Sequence, residues 1–422
     1  APRRSIAPGA REPRSVHSGV RGHTGRALRS LTALLVGCLL ALPRPAAADT
    51  SYSFFPLPAF DTDPNEGETY GILPVWMFKD EEGRIRTIVA PSITWNEIRG
   101  VTGTFRYFLY ASALERLEFI ASYSENIDRE LKIQYKNLDV FGGRFHTDFQ
   151  FLHERVSSIR VFGIGPSSEK IDESNMTLET TGGYAIFGVN VTPTMRLSLG
   201  ETLQRFEVAP GGVPGLPYTG DLFPDLPGIQ GATIHAQRVA FIHDNRDSLT
   251  TPTQGLYVSV FAEASTELLG SDADYIKAGG EGRYLKPFLD RRVVLVLRGL
   301  FEGISGESNT PFQVLPTLGG VDTLRGFGEN RFYGDARLLF NVEVRTSVFR
   351  ARIFGVNAEL QVAPFIDVGK VFNSLEQFAD TPFEITPGVG FRGLAPPSVV
   401  GHIEFAYSRE GPAIYVGLDY PF

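Results

Sequence analysis

Strict alternation along the chain limits its fold more than any other feature. In "VNAELQVAPFIDVG", Val356, Ala358, Leu360, Val362, Pro364, Ile366 and Val368 share one parity, while Asn357, Glu359, Gln361 and Asp367 share the other. "LLFNVEVRTSV" sets Leu338, Phe340, Val342, Val344 and Val348 against Asn341, Glu343, Arg345 and Ser347, and "GLYVSVFAEAS" divides in the same way. A period of two belongs to β-strands whose faces meet different surroundings. Beyond residue 49 no apolar run approaches the roughly 20 residues of a membrane-spanning helix.

A soluble sandwich alternates too, so parity alone does not decide between an apolar core and an apolar outer surface. Strand length separates them. Many segments run about 10 to 13 residues, nearer the roughly 9 to 11 of a tilted membrane strand than the 5 to 6 usual in globular sheets. With 45 Gly and 32 Phe against three Met and one Cys in 422 residues, the composition fits a barrel whose apolar face meets lipid and whose polar face meets water.

The first 48 residues read differently. "RALRS" is a cationic lead, "LTALLVGCLLAL" an apolar stretch and "PAAADT" a small-residue cleavage site, most simply after Ala48; together they predict a secretory signal peptide at the end of an N-terminal extension. The single cysteine, Cys38, lies inside it. Cleavage would leave no disulfide, thiolate chemistry or cysteine-bound metal. "LVGC" also resembles a lipoprotein processing site, which would instead make an acylated Cys38 the first mature residue. Without residues 1–48 the chain holds 32 basic and 47 acidic residues, a net charge of −15. That balance argues against a nucleic-acid partner, which calls for a basic face.

Between residues 68 and 422 there are about 16 or 17 strand-like segments, and closure of a single-chain barrel favours an even number. The reading is an all-β, transmembrane antiparallel β-barrel of 16 strands over 68–422, with the segment near 68–78 discounted and residues 49–67 a short periplasmic lead. Short turns alternate with longer connections near 155–180, 207–232 and 304–335, which would face outside. The third contains "LPTLGGVDTLRGFGENRFYGD", far more chain than a hairpin needs, and would fold inward before strand 12.

That stretch resembles the signature loop of the outer membrane protein 85 superfamily, the BamA-type insertases and translocators whose barrels are also known as bacterial surface antigens. The family's (V/I)RG(F/Y) tetrad reads here Leu324, Arg325, Gly326, Phe327, with leucine in place of the usual β-branched residue. "FIDVG", Phe365 to Gly369, matches its FxDxG strand, and "HDNRDSLTTPTQG" is similar to its periplasmic turn. "YVGLDYPF" resembles its terminal assembly signal. The matches fall in the family's order over roughly residues 235 to 422.

The resemblance implies that the loop folds into the barrel and that Arg325 docks on Asp367, with Gly326 and Phe327 forming the rest of the latch and Phe365 and Gly369 flanking its acceptor. Parity independently points Asp367 into the lumen. In the periplasmic turn, Asp244, Arg246 and Asp247 can satisfy turn amides and one another, while Pro252 and Gly255 restrict re-entry of the next strand. Gly417, Tyr420 and Phe422 would mark the assembly signal and a seam between first and last strands, which Gly417 and Pro421 would weaken.

Family insertases carry periplasmic POTRA domains, but some 20 residues between Ala48 and the first expected strand leave no room for one. The resemblance is therefore to a POTRA-less branch. No G-x-S-x-G, H-E-x-x-H or P-loop occurs. "DTDPNEG" fails as a calcium loop, with Glu66 where glycine is required and Ile72 where the bidentate Glu belongs. His146, His153 and His402 read as lumen or interface residues. The expectation is a non-enzyme without cofactor or metal. It would lie in the outer membrane after signal cleavage, with membrane lipid, the barrel assembly machinery and a substrate-recognising partner as associates. Two functions stay open: client insertion or translocation through a latched lumen and lateral seam, or a structural or pore-forming barrel.

Overall fold

The computed structural model describes residues 51–353, 356–395, 399–418 and 420. The signal peptide, Cys38 and Phe422 lie outside these residues. The chain from residue 51 forms one closed antiparallel sheet. Its strands are β1 (Tyr52–Asp63), β2 (Gly67–Lys79), β3 (Ile85–Val89 and Ser92–Asn96, two halves of one interrupted strand), β4 (Gly100–Tyr110), β5 (Glu115–Ser124) and β6 (Arg129–Val140). Then come β7 (Phe145–Val161), β8 (Ser174–Thr192), β9 (Met195–Pro210), β10 (Ala232–Asp244), β11 (Gly255–Ser265) and β12 (Tyr275–Phe288). β13 (Val293–Gly306), β14 (Ala336–Ile353), β15 (Val356–Phe372), β16 (Glu384–Ala395), β17 (Val399–Ser408) and β18 (Gly411–Leu418) complete the wall.

Among the described residues the strand count is therefore 18, not 16, and the inward loop precedes β14 rather than strand 12. Both missing strands are at the start. Residues 52–63, expected as a periplasmic lead, pair along their whole length with 67–79, the segment expected to be spurious. Three prolines, Pro56, Pro58 and Pro74, make these segments read as poor strands. They are tolerated because of where their missing N–H groups would point. Lys79 N–H donates to Ser51 O at 2.9 Å, so residues of β1 sharing the parity of Ser51 bond to β2. Pro56 and Pro58, out of phase with it, face the other neighbour. Pro74 lies opposite the break between the halves of β3, where neither half is registered with it.

The parity reading holds along the wall. Leu360, Ile366, Phe340 and Val342 are exposed on the outside, whereas Gln361, Asp367, Asn341 and Glu343 are buried inside. At one end the turns are short, as between β8 and β9. At the other, the connections 162–173, 211–231 and 307–335 close over the lumen around Val161, Met176, Ile229, Phe312 and Tyr333. Arg331 ties its own connection to 162–173 by donating to Ser168 Oγ at 3.1 Å, and to the β17–β18 turn by donating to Glu410 at 2.8 Å.

Candidate functional site: an ion-paired loop inside the barrel

The loop between β13 and β14 descends into the lumen and places Arg325 against the wall. A two-residue ladder, Thr317–Leu318 with Phe332–Tyr333, closes its neck. Below it Leu318, Leu324, Phe327 and Phe332 pack with Leu339 of β14 and Val371 of β15 in a small apolar cluster. Gly369 makes room for this packing, since a Cβ there would lie 3.1 Å from Leu318 Cδ1. Burial of these side chains holds the loop down, and the charged residue between them must then find partners.

Arg325 finds several. Its Nε and Nη2 donate to the two oxygens of Asp367 at 2.8 and 2.7 Å, a bidentate fork, and its backbone N–H reaches Asp367 Oδ2 at 3.2 Å. Nη1 donates to Glu343 and Glu404, both at 3.2 Å. Phe365 lies under the guanidinium, its ring centroid 3.3 Å away. Asn341 Nδ2 steadies the acceptor, donating to Asp367 Oδ1 at 2.8 Å. Arg325 and Asp367 are both fully buried. Buried charge is tolerable only when paired and hydrogen-bonded throughout, and the bidentate fork gives the pairing direction as well as strength.

The wall supplies more than the sequence motifs indicate. Arg392 of β16 donates to Glu343 at 2.5 and 2.7 Å and to Glu404 at 2.7 and 3.0 Å. Arg345 reaches Glu343 at 2.6 Å. Three guanidinium groups thus meet three carboxylates contributed by the loop and by β14, β15, β16 and β17. Parity marks Glu343 and Arg345 as inward-facing, but nothing local reveals that they share partners with Arg325.

Gly326 has a φ of +105° and sits where a Cβ would come within 3.2 to 3.3 Å of Tyr407 and Ser408 on β17. Only glycine satisfies both the left-handed backbone and the close approach. The next residue, Phe327, is buried, and its carbonyl accepts from Tyr415 Oη of β18 at 2.5 Å. Farther along the loop, Asn65 Nδ2 donates to Glu329 O at 2.9 Å. Burial, and then the like charges of Asp322, Asp63 and Glu154, push the Glu329 carboxyl up to about 7.

The second predicted group forms a turn apart from this network. Arg246 donates to both oxygens of Asp244 at 2.9 Å. Asp247 accepts from the backbone N–H of Thr253 at 2.8 Å and of Gln254 at 3.1 Å. Pro252 is buried beside them. Gly255 has a φ of +119°, and a Cβ would stand 2.6 Å from Arg246 Cα. These contacts build a rigid turn between β10 and β11.

The third group is divided. Among the described residues, β1 and β18 meet through one registered pair, Thr62 with Ile414, where Thr62 Oγ1 donates to Ile414 O at 3.4 Å. Every other neighbouring pair of strands shares at least eight registered pairs, the fewest being at β2–β3, β3–β4, β16–β17 and β17–β18. Gly417 has a packing role: it lies opposite His402, whose imidazole occupies the space a Cβ would need, with Cε1 2.6 Å from that position. Tyr420 departs from the outward parity of Ile414 and Val416. Its hydroxyl donates to Gln361 at 3.2 Å and its ring lies 3.8 Å from the Arg345 guanidinium. Past the end of β18 the strand period no longer sets its direction, and the inward cations and amide do.

A family model, the Omp85 superfamily domain, matches residues 115–410, which include the loop and its acceptors. The chain belongs to the Omp85 superfamily. Two solved Omp85-type barrels are similar in fold. BamA from Haemophilus ducreyi lacking POTRA domains 1–3 is 14% identical with a TM-score of 0.53, over 86% of this chain and 74% of that one. CdiB from Escherichia coli is 10% identical with a TM-score of 0.52, over 90% of this chain and 62% of that one. No curated protein matches the sequence. An Omp85-type barrel belongs in the bacterial outer membrane.

Proposed function

We propose that this Omp85 barrel aids insertion or translocation of protein, or of lipid, at the outer membrane. Its loop acts as a latch on the lumen and its β1–β18 junction as a lateral opening, with a separate partner supplying substrate recognition. The observation that carries this reading is the contrast in how the two are held. The latch is fixed by a fully buried bidentate pair, while the closing seam has one registered pair among the described residues. Pro56 and Pro58 deprive the seam edge of β1 of two N–H donors, so strand exchange there sacrifices few hydrogen bonds. A firm plug with a weak wall can admit a strand sideways without becoming an open hole.

The test is a disulfide between Thr62→Cys and Ile414→Cys in a Cys38→Ala background, formed in membranes. Oxidation is expected to stop insertion or export of client barrels while leaving the protein folded. If locking the seam changes only heat resistance, the barrel is structural or pore-forming, and the buried ion pairs around Arg325 then serve stability alone.

A further inference from the structure

At the short-turn end, away from the latch, the lumen opens into a cavity of about 410 Å³ lined from β4 across to β12. Its charge runs against that of the chain. Arg116, Lys136, Arg196, Arg238, Arg246 and Arg283 line it, opposed there by Glu115, Asp148 and Asp244, whereas the chain as a whole is acidic by eight charges.

These cations are not equally occupied. Arg246 is held by Asp244, Arg238 by Glu263 at 2.9 Å and Arg283 by Glu281 at 2.5 Å. Lys136 stands 3.5 Å from Asp148, and Arg196 is 3.7 Å from Asp244, an oxygen already engaged by Arg246. Arg116 makes no ion pair among the described residues, and its Nε is buried without a hydrogen-bond partner. Of the carboxylates beside it on β5, Glu115 accepts from Tyr135 Oη and Glu118 is paired with Lys132 at 2.8 Å. Arg116 and Lys136 are also direct cross-strand partners on β5 and β6. Like charges directly opposite destabilise a sheet, so this wall keeps an arrangement that would be relieved by an anion between them.

We propose that this cavity binds an acidic peptide segment, with Arg116, Lys136 and Arg196 taking its carboxylates. The lining favours an ionic and amphiphilic ligand over a bare ion: Leu138, Ile186, Ile242 and Leu249 stand among the cations, and Tyr257 lies against Arg246 and Arg283. Arginine's planar fork suits a carboxylate, and the volume falls within the roughly 300–1,000 Å³ of ordinary ligand sites. The choice of a peptide rests on the proposed function, in which this barrel handles client polypeptide.

The experiment uses the full chain in detergent micelles and a fluorescent peptide alternating Glu with Leu, read by anisotropy. Binding is expected for this peptide, absent for its Lys–Leu counterpart, and weakened by added salt. The double variant Arg116→Gln with Lys136→Gln should weaken it at least tenfold. Arg84→Gln, in the β2–β3 turn, should not. If the double variant fails to fold, Arg116→Lys with Lys136→Arg takes its place and must retain binding. Unchanged affinity in the glutamine variant overturns the proposal, as does a charge-retaining variant that folds but does not bind. Tripolyphosphate binding as tightly as the peptide, and displacing it, also overturns the peptide assignment in favour of a phosphate site. Because no client is inserted in this measurement, its failure is separable from a failed seam-locking result.

Discussion

At the residue scale, the molecule turns on what Arg325 holds and on what is left when it goes. Removing one member of a buried, hydrogen-bonded ion pair costs about 3–5 kcal/mol, because the abandoned charges stay desolvated. Arg325→Ala leaves Asp367, Glu343 and Glu404 facing only Arg345 and Arg392, so the loop should lose its fixed position before the wall loses its pairing. The expected result is a barrel that still shifts on heating in gel electrophoresis but whose 307–335 segment is cut by protease added from outside. Equal protease resistance in the variant and the parent would sink the latch reading. The docking pair was legible through the resemblance to the Omp85 signature loop, and parity independently placed Asp367 on the inward face. The partners Arg392 and Glu404 were not. Each is one charged residue in an ordinary alternating strand, and only closure of the sheet brings them to the same point.

At the element scale, β1 shows how a strand can be hidden by the feature that gives it a role. Proline argues against a strand because it lacks a ladder donor, yet on a closing edge few donors are used. Pro56 and Pro58 therefore obscured a membrane strand, and Pro74 the next, while the long runs in β14 and β15 were plain from parity alone. Replacing Pro56 and Pro58 by Ala restores two N–H groups toward β18. With net gains of roughly 0.5–1.5 kcal/mol per hydrogen bond, the double variant should close more firmly. Disulfide formation between Thr62→Cys and Ile414→Cys should become faster and more complete, with a parallel loss of client handling. Slower crosslinking would mean that the prolines shape β1 in some way other than by withholding donors. Tyr420 marks the opposite limit of legibility: parity fails as a guide at the place where the strand stops.

At the scale of the whole molecule, the barrel separates its charges. The docked loop and the wall around Arg325 balance three guanidinium groups against three carboxylates, while cations prevail at the short-turn end. Docking is thus also an electrical event. When the loop lifts away it carries one positive charge with it and leaves a wall of three carboxylates and two guanidinium groups, so the vacated passage becomes net negative at this ring of side chains. A passing ion would sense the state of the loop. Bilayer recordings should show that whatever conductance Arg325→Ala opens prefers potassium over chloride, and that Glu404→Gln in the same background reduces that preference. The latch that holds the plug would then also set the sign of what leaks when the plug is out.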